Sequence, residues 1–168
     1  KAPLDGAHGE KGAGGEEVKK SAVLAMEYIL KQQNTSGFFD YTGNTKRDDM
    51  SVTGWCIMGL KSAILAGIKE NEIKAAFHKC GAYFDTIEGT KDNTSTSKGL
   101  SWYTPANPAG AGTACQAIAM LVRQYLGWER SAPWLEAASD GQISKIPANY
   151  EGANIYRVYY AFLTLFQQ

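Results

Sequence analysis

D-D-M-S-V-T-G-W-C-I-M-G-L-K-S-A-I-L-A-G, running from Asp48 to Gly67, decides how this chain is read. Asp48, Asp49 and Ser51 are helix-starting residues, and Gly67 is a helix-ending one. Beyond that start, only Thr53, Lys61 and Ser62 are polar, so the helix has almost no face to offer water. A helix apolar nearly all round is either a membrane span or an element enclosed by others. Lys61 and the small polar residues keep the apolar run short of the ~20 residues that a span needs. The stretch therefore predicts a helix wrapped by neighbours.

Working outward, the 168 residues predict one domain, long enough to bury roughly two-thirds of its unfolded surface without disulfide staples. Lys1–Gly15 is rich in glycine and poor in apolar residues, and is expected to form a flexible arm ahead of a domain at 16–168. Seventeen basic residues balance seventeen acidic ones, which argues against a nucleic-acid partner and its basic stripe. Cys56, Cys80 and Cys115 are an odd number, each among apolar neighbours, and read as small buried hydrophobes. No cofactor is indicated. The start at Lys1 is compatible with a piece of a longer protein, so compartment stays open, a periplasmic or envelope-associated one included.

On the N-terminal side, Val18, Ala22, Ala25, Met26 and Ile29 recur at helical spacing, opposite Glu16, Lys19, Lys20, Glu27 and Lys31. On the C-terminal side, Ile73, Phe77, Cys80 and Phe84 form the stripe of a second amphipathic helix near 70–84. A polar loop from Asp85 to Lys98 leads into G-L-S-W-Y-T-P-A-N-P, also expected to be loop. A nearly all-apolar helix over about 111–126 follows, then a short segment at Pro133–Ala138. The last helix, within N-I-Y-R-V-Y-Y-A-F-L-T-L-F-Q-Q, is interrupted only by Asn154, Arg157 and Thr164. The order alternates amphipathic with buried, the pattern of helical hairpins whose one member lies inside and the other outside. The expected fold is all-α, a partial or small α/α toroid of about three hairpins. An internal repeat agrees: Gly37-Phe-Phe-Asp-Tyr41-Thr42 aligns with Gly99-Leu-Ser-Trp-Tyr103-Thr104, and Thr53–Gly67 has the length of Thr113–Gly127.

Gln33, Gly37, Phe38 and Tyr41, followed by Thr53, Gly54, Trp55, Met58 and Leu60, resemble the prenyltransferase and squalene-cyclase repeat of the terpenoid-cyclase fold. The phrases S-V-T-G-W-C-I-M-G-L-K-S-A, R-Q-Y-L-G-W and N-I-Y-R-V-Y-Y-A resemble uncharacterised bacterial proteins carrying that repeat. The resemblance covers about 17–168 and implies a fold more than a chemistry. Cyclases of this kind protonate an isoprenoid with D-x-D-D just before a Thr-Ala. With Thr53-Gly54 on that dipeptide, the motif falls on Asp49-Met50-Ser51-Val52 and keeps only its first acid; in the register that uses Asp48 and Asp49 as the last two acids, the first is Lys46. The zinc ligands of protein prenyltransferases need an Asp two residues before a Cys, which none of the three cysteines has. His78 and Cys80 are two apart on a helix and do not face each other. The C-G-E-Q of thioester domains is absent. Gly110–Gly112 is a helix entry without the G-K-[ST] of a phosphate loop.

Three expectations remain. In the first, the chain is a non-catalytic ligand-binding or protein-interaction module, taking a small apolar or carbohydrate ligand, another protein or another toroid half, with a dimer among the arrangements. In the second, it is an enzyme acting on uronic sugars or an isoprenoid at the mouth of the hollow. In the third, it is a structural repeat of a larger envelope-associated protein. Candidate ligand-binding residues are Asp48, Asp49, Trp102, Tyr103, Tyr150, Tyr156 and Arg157, since such pockets combine aromatic walls with a few polar groups. Arg157 is expected to reach an acid (Asp40, Asp48 or Asp49) or a wet cavity, because a buried charge needs a partner. No catalytic residue and no metal ligand is assigned.

Overall fold

The computed structural model describes residues 13–43, 47–86, 101–104, 107–109, 113–146, 149 and 151–167. They form six helices and a two-stranded hairpin: α1 (Ala13–Gln32), α2 (Met50–Leu65), α3 (Glu70–Phe84), β1 (Ser101–Thr104), β2 (Asn107–Ala109), α4 (Ala114–Tyr125), α5 (Pro133–Ile143) and α6 (Ile155–Phe166). The architecture is helical, as the alternating pattern predicts. Helix α1 begins at Ala13, three residues inside the stretch expected to be an arm. The hairpin replaces part of an expected loop: β1 and β2 run antiparallel, with Ser101 opposite Ala109, Trp102 opposite Pro108 and a register shift before Thr104.

Helices α2, α4 and α6 form a contiguous row, α2 on α4 and α4 on α6. Helices α1 and α3 flank α2 and touch each other, while α5 lies on α4. The most enclosed element is α4, whose residues from Gln116 to Arg123 are all buried. Helix α2 comes second: Met50, Thr53, Gly54, Ile57, Leu60 and Ala63 are buried, but Trp55, Ser62 and Leu65 are exposed. Helix α6 is not wrapped. Only Tyr160, Ala161 and Thr164 are buried in it, because its main neighbour among the described elements is α4, on one side.

The outer helices follow their stripes. All four expected residues of α3, Ile73, Phe77, Cys80 and Phe84, are buried. In α1 the packed face is Ala22, Val23, Met26, Ile29 and Leu30; Val18 and Ala25 are exposed. Helix α5 starts on Pro133, whose missing N–H costs nothing in a first turn, and extends past the expected Ala138 to Ile143.

The repeat appears as a shared C-terminal device. In α2, Gly67 (φ +70°) turns the chain so that Ile68 N–H reaches Ala63 O at 2.9 Å and Gly67 N–H reaches Ile64 O at 2.9 Å. In α4, Gly127 (φ +94°) does the same, with Trp128 N–H on Arg123 O and Gly127 N–H on Gln124 O, both at 3.1 Å. This paired closure satisfies carbonyls that a helix end leaves open. The N-termini differ. Thr113 caps α4 through its Oγ1 to Gln116 N–H, whereas Thr53 lies within α2 and Asp49 is its cap.

Two glycines set how closely these elements approach. Gly37 (φ +109°) brings the loop after α1 onto the α3 backbone: a Cβ there would lie 2.4 Å from the Lys79 carbonyl oxygen. Gly54 lets α2 meet both its row partners, since a Cβ there would lie 2.6 Å from Ile118 Cγ2 on α4 and 3.3 Å from the Tyr160 hydroxyl on α6. The three inner helices therefore touch directly at this level.

At the far end of α4, the buried Arg123 pairs with Asp85 at 2.7 Å and lies over the rings of Trp128 and Phe84. Packing on aromatic faces offsets part of the cost of taking a guanidinium out of water.

Gly37→Ala combines a disfavoured φ with a backbone clash and should cost about 2–4 kcal/mol. Gly67→Ala has the disfavoured φ in open space and should cost about 1 kcal/mol. Thermal unfolding of the two variants tests the difference, and equal melting points would contradict the close approach at Gly37. Gly54→Val should cost about 2–3 kcal/mol, partly recovered when Ile118→Ala makes room. Additive effects in that double-mutant cycle would mean the two residues do not meet.

Candidate functional site

The N-terminal ends of α2, α4 and α6 converge, because Tyr156 in the first turn of α6 lies beside Ser51 of α2 and Cys115 of α4. Strand β1 packs over the same end, against α2 and α4. Three helix starts bring partial positive charge and unpaired N–H groups to one place, which favours an anionic side chain there. Asp49 supplies it. Its Oδ1 accepts from Ser51 N–H at 2.9 Å, Val52 N–H at 3.1 Å and Ser51 Oγ–H at 2.5 Å. Its Oδ2 accepts from Arg47 at 3.0 Å. The Tyr103 hydroxyl joins this group: its hydrogen bond to Asp49, and then the charge of Asp49, hold the phenol above its ordinary pKa.

Asp48, the neighbouring acid, points elsewhere. It accepts from Asn34 Nδ2 at 2.9 Å and Ser36 Oγ at 2.7 Å, tying the end of α1 to the start of α2. Tyr83 of α3 is pushed up to about 12, first by burial and then by its hydrogen bond to Asp48. The rest of this loop is held by Gln33 Nε2 on the carbonyls of Gly37 and Ala76, and by Thr53 Oγ1, which accepts from Phe39 N–H. Phe38 and Phe39, both fully buried, fill the space beneath it.

Of the residues singled out in the sequence, Asp49, Tyr103 and Tyr156 meet at the converging helix starts. Asp48 belongs to the loop anchor, and Trp102 is the β1 residue that precedes Tyr103. Tyr150 lies outside the described residues, as does Lys46. Arg157 turns towards α5, where its guanidinium donates to Gln142 Oε1 at 3.4 Å and to the carbonyl of Lys145. The charge partners of Arg47 are Asp40, at 3.4 Å, and Asp49, so this arginine takes the acids that were expected to face Arg157.

Two participants, Ser51 and Gln142, are not marked as site residues by the sequence; Ser51 starts a helix and also bonds Asp49. Tyr160, one of the aromatics of the last helix, has its buried hydroxyl over Gly54 and close to the Tyr156 hydroxyl, short of hydrogen-bond geometry. Burial first, and then Tyr156, raise the Tyr160 phenol well above its ordinary range. Gln142 joins α5 to α4 and α6 by donating to Thr113 O at 2.9 Å and Gln116 Oε1 at 2.8 Å while accepting from Arg157. Gln116 left a trace in the sequence as the polar interruption of A-C-Q-A-I-A.

Chemically, the polar groups around Asp49 are paired, whereas the buried hydroxyls of Tyr156 and Tyr160 lack a hydrogen-bond partner among the described residues. Every described partner of Asp49 is a donor, so the carboxylate serves as an acceptor that closes a helix end. Ser51 donates to a carboxylate with no histidine between them; His78 lies on the exposed face of α3. Burial pushes the Cys56 and Cys115 thiols up to about 11, away from the thiolate a nucleophile needs. Among the described residues no three His, Cys, Asp or Glu side chains converge on a metal position, and no helix is long and apolar enough to cross a membrane. A shallow groove of about 370 Å³ lies elsewhere, between α1 and α3, lined by Leu30, Gln33, Ala76 and Lys79 among others.

The opposite side of α6 differs from this polar end. Ile155, Tyr159, Phe162 and Phe166 are 58, 41, 60 and 90% exposed. Their spacing of four, three and four residues puts them on one face. Trp55 of α2 extends the face, stacked on Tyr159 with ring centroids 5.9 Å apart. The polar residues of α6 lie on its packed sides: Arg157 on α5, and Thr164, whose carbonyl accepts from Gln124 of α4. The usual amphipathic order is inverted. Comparison with family models, curated proteins and solved structures gives no match for this chain.

Thiol chemistry tests the polar end. With their pKa values raised, Cys56 and Cys115 favour the neutral form in the folded chain. Their contribution to stability is complete below the ordinary thiol value near 9 and is lost as pH rises through about 11. At pH 8 the folded chain should react with a disulfide reagent roughly 10–100-fold more slowly than the unfolded chain. Rapid labelling of either thiol in the folded state would reveal an activated nucleophile and contradict this account.

Proposed function

We propose that this chain is a non-catalytic protein-interaction module built as an arc of three helical hairpins, an α/α-toroid architecture of the squalene-cyclase-repeat type. The observation that carries the reading is the exposed apolar face of α6, extended by Trp55. Large contiguous apolar patches on a folded surface mark interaction sites more often than chance. In the proposed arc, α4 buries both flanks in the row, between α2 and α6, and α6 offers the same kind of flank to a partner. The support for assigning no chemistry is the state of the candidate residues: Asp49 and Asp48 are engaged in holding helix and loop ends, and Arg157 holds α5.

The resemblance carried by Gln33, Gly37, Phe38, Thr53 and Gly54 fits this architecture through named contacts. Gln33 and Gly37 seat the loop on α3, and Gly54 seats α2 against α4 and α6. The enzymatic alternative needs an acid at the mouth with a free, changing proton, and Asp49 is engaged by a guanidinium, two backbone N–H groups and two hydroxyls.

Replacing Phe162 and Phe166 together by Glu tests the module. Both side chains face solvent, so the double variant should remain folded and within about 1 kcal/mol of the parent stability. The parent should either self-associate or, as a monomer, bind an apolar fluorescent dye through this face; the variant should do neither. A variant that unfolds would place the face in the core, and one that matches the parent in both measurements would remove it as an interaction site.

A further inference from the structure

We infer that the partner of this face is a second copy of the same chain, paired α6 to α6 in antiparallel orientation about a two-fold axis between Tyr159 and Phe162. The inference rests on the module reading above and names its partner.

The stripe Ile155–Tyr159–Phe162–Phe166 has the alternating four-three spacing of a helix seam, which another helix fills side by side by inserting its own residues between these. Being free of charged residues, the seam meets no like charge when it meets itself, and the formal net charge of zero leaves no overall repulsion between copies. Size points the same way. With aromatic rings of about 150–250 Å² each, the exposed parts of Trp55, Tyr159, Phe162 and Phe166, together with Ile155, offer roughly 500–600 Å² per copy. A stable interface takes about 600–1,000 Å² from each partner. Covered completely, these five side chains bring a two-fold pair close to the lower end of that range, and flanking residues supply the rest.

Antiparallel pairing follows from volume and dipole. It sets the smaller Ile155 against Phe166 of the partner copy, the most exposed ring of the stripe, and places Tyr159 opposite Phe162. Parallel pairing would stack Phe166 on Phe166 and align two helix dipoles side by side with like ends together. Trp55, stacked on Tyr159, flanks the centre of the seam in each copy and screens it from water, as residues at the rim of an interface do.

Sedimentation of the intact chain up to a concentration on the order of 100 µM tests the partner, and cysteine cross-linking tests the geometry. The expected result is a dimer whose dissociation constant rises at least ~10-fold in Phe162→Glu. A mixture of Ile155→Cys and Phe166→Cys chains, treated with a short bis-maleimide, should cross-link between the two variants and not within either. Lys19→Cys on α1 serves as the exposed control. Self-cross-linking of Ile155→Cys would overturn the antiparallel arrangement, and equal yields from Lys19→Cys would overturn the interface. A parent that stays monomeric yet binds apolar dye through Phe162 and Phe166 would overturn the second copy as partner and leave the module reading intact, its occupant then a foreign helix or an apolar ligand. A monomer without dye binding would end both.

Discussion

The structure depends on the absence of one side chain. At Gly54 the α2 backbone comes so close to Ile118 and to the Tyr160 hydroxyl that a methyl group would have to displace one of them. Helices normally hold each other at 8–10 Å through their side chains. A glycine on the contact line lets α2 reach α4 and α6 at once. That contact brings their N-terminal ends together and buries Tyr160 between them. Glycine costs an interior helical position roughly 1 kcal/mol relative to alanine, and the packing of Ile118 and Tyr160 offsets it.

Once the three helices meet, the polar residues at their starts have a defined task. N–H groups at a helix start have no acceptor within the helix, and Asp49, Thr113 and Asn154 each provide one. Asp49 also draws Arg47, Ser51 and Tyr103 to itself, and its carboxylate closes the start of α2. Asp48 works at right angles to this role, fixing the loop that carries Phe38 and Phe39 into the core between α1, α2 and α3. Two adjacent acids thus have separate jobs, decided by which way consecutive side chains leave an extended backbone just before the helix.

Much of this was legible in the chain. The bounds of α3 follow its stripe from Glu70 to Phe84, and Gly67 and Gly127 end α2 and α4, because a residue that takes positive φ without steric cost marks a helix end without help from distant contacts. The hairpin at Ser101–Thr104 and Asn107–Ala109 was not legible; its prolines and its irregular register hide the alternation by which strands are read. Nor was the partner of Arg157. A guanidinium can reach many acceptors, and the choice of Gln142 over Asp40 or Asp49 depends on where α5 docks.

Helix α6 separates the two kinds of information most clearly. Its sequence, I-Y-R-V-Y-Y-A-F-L-T-L-F, is almost unbroken in hydrophobicity, and its length together with the Asn154 cap marks a helix despite the modest helix propensity of its aromatic and β-branched residues. It does not determine which side faces inward, since more than one face of such a helix can pack. That choice was made by tertiary structure: Tyr160 fits the niche above Gly54, Thr164 meets Gln124, and Arg157 finds Gln142. These contacts rotate Ile155, Tyr159, Phe162 and Phe166 outward, because a helix that satisfies its polar groups against its neighbours leaves its remaining apolar face to the solvent side.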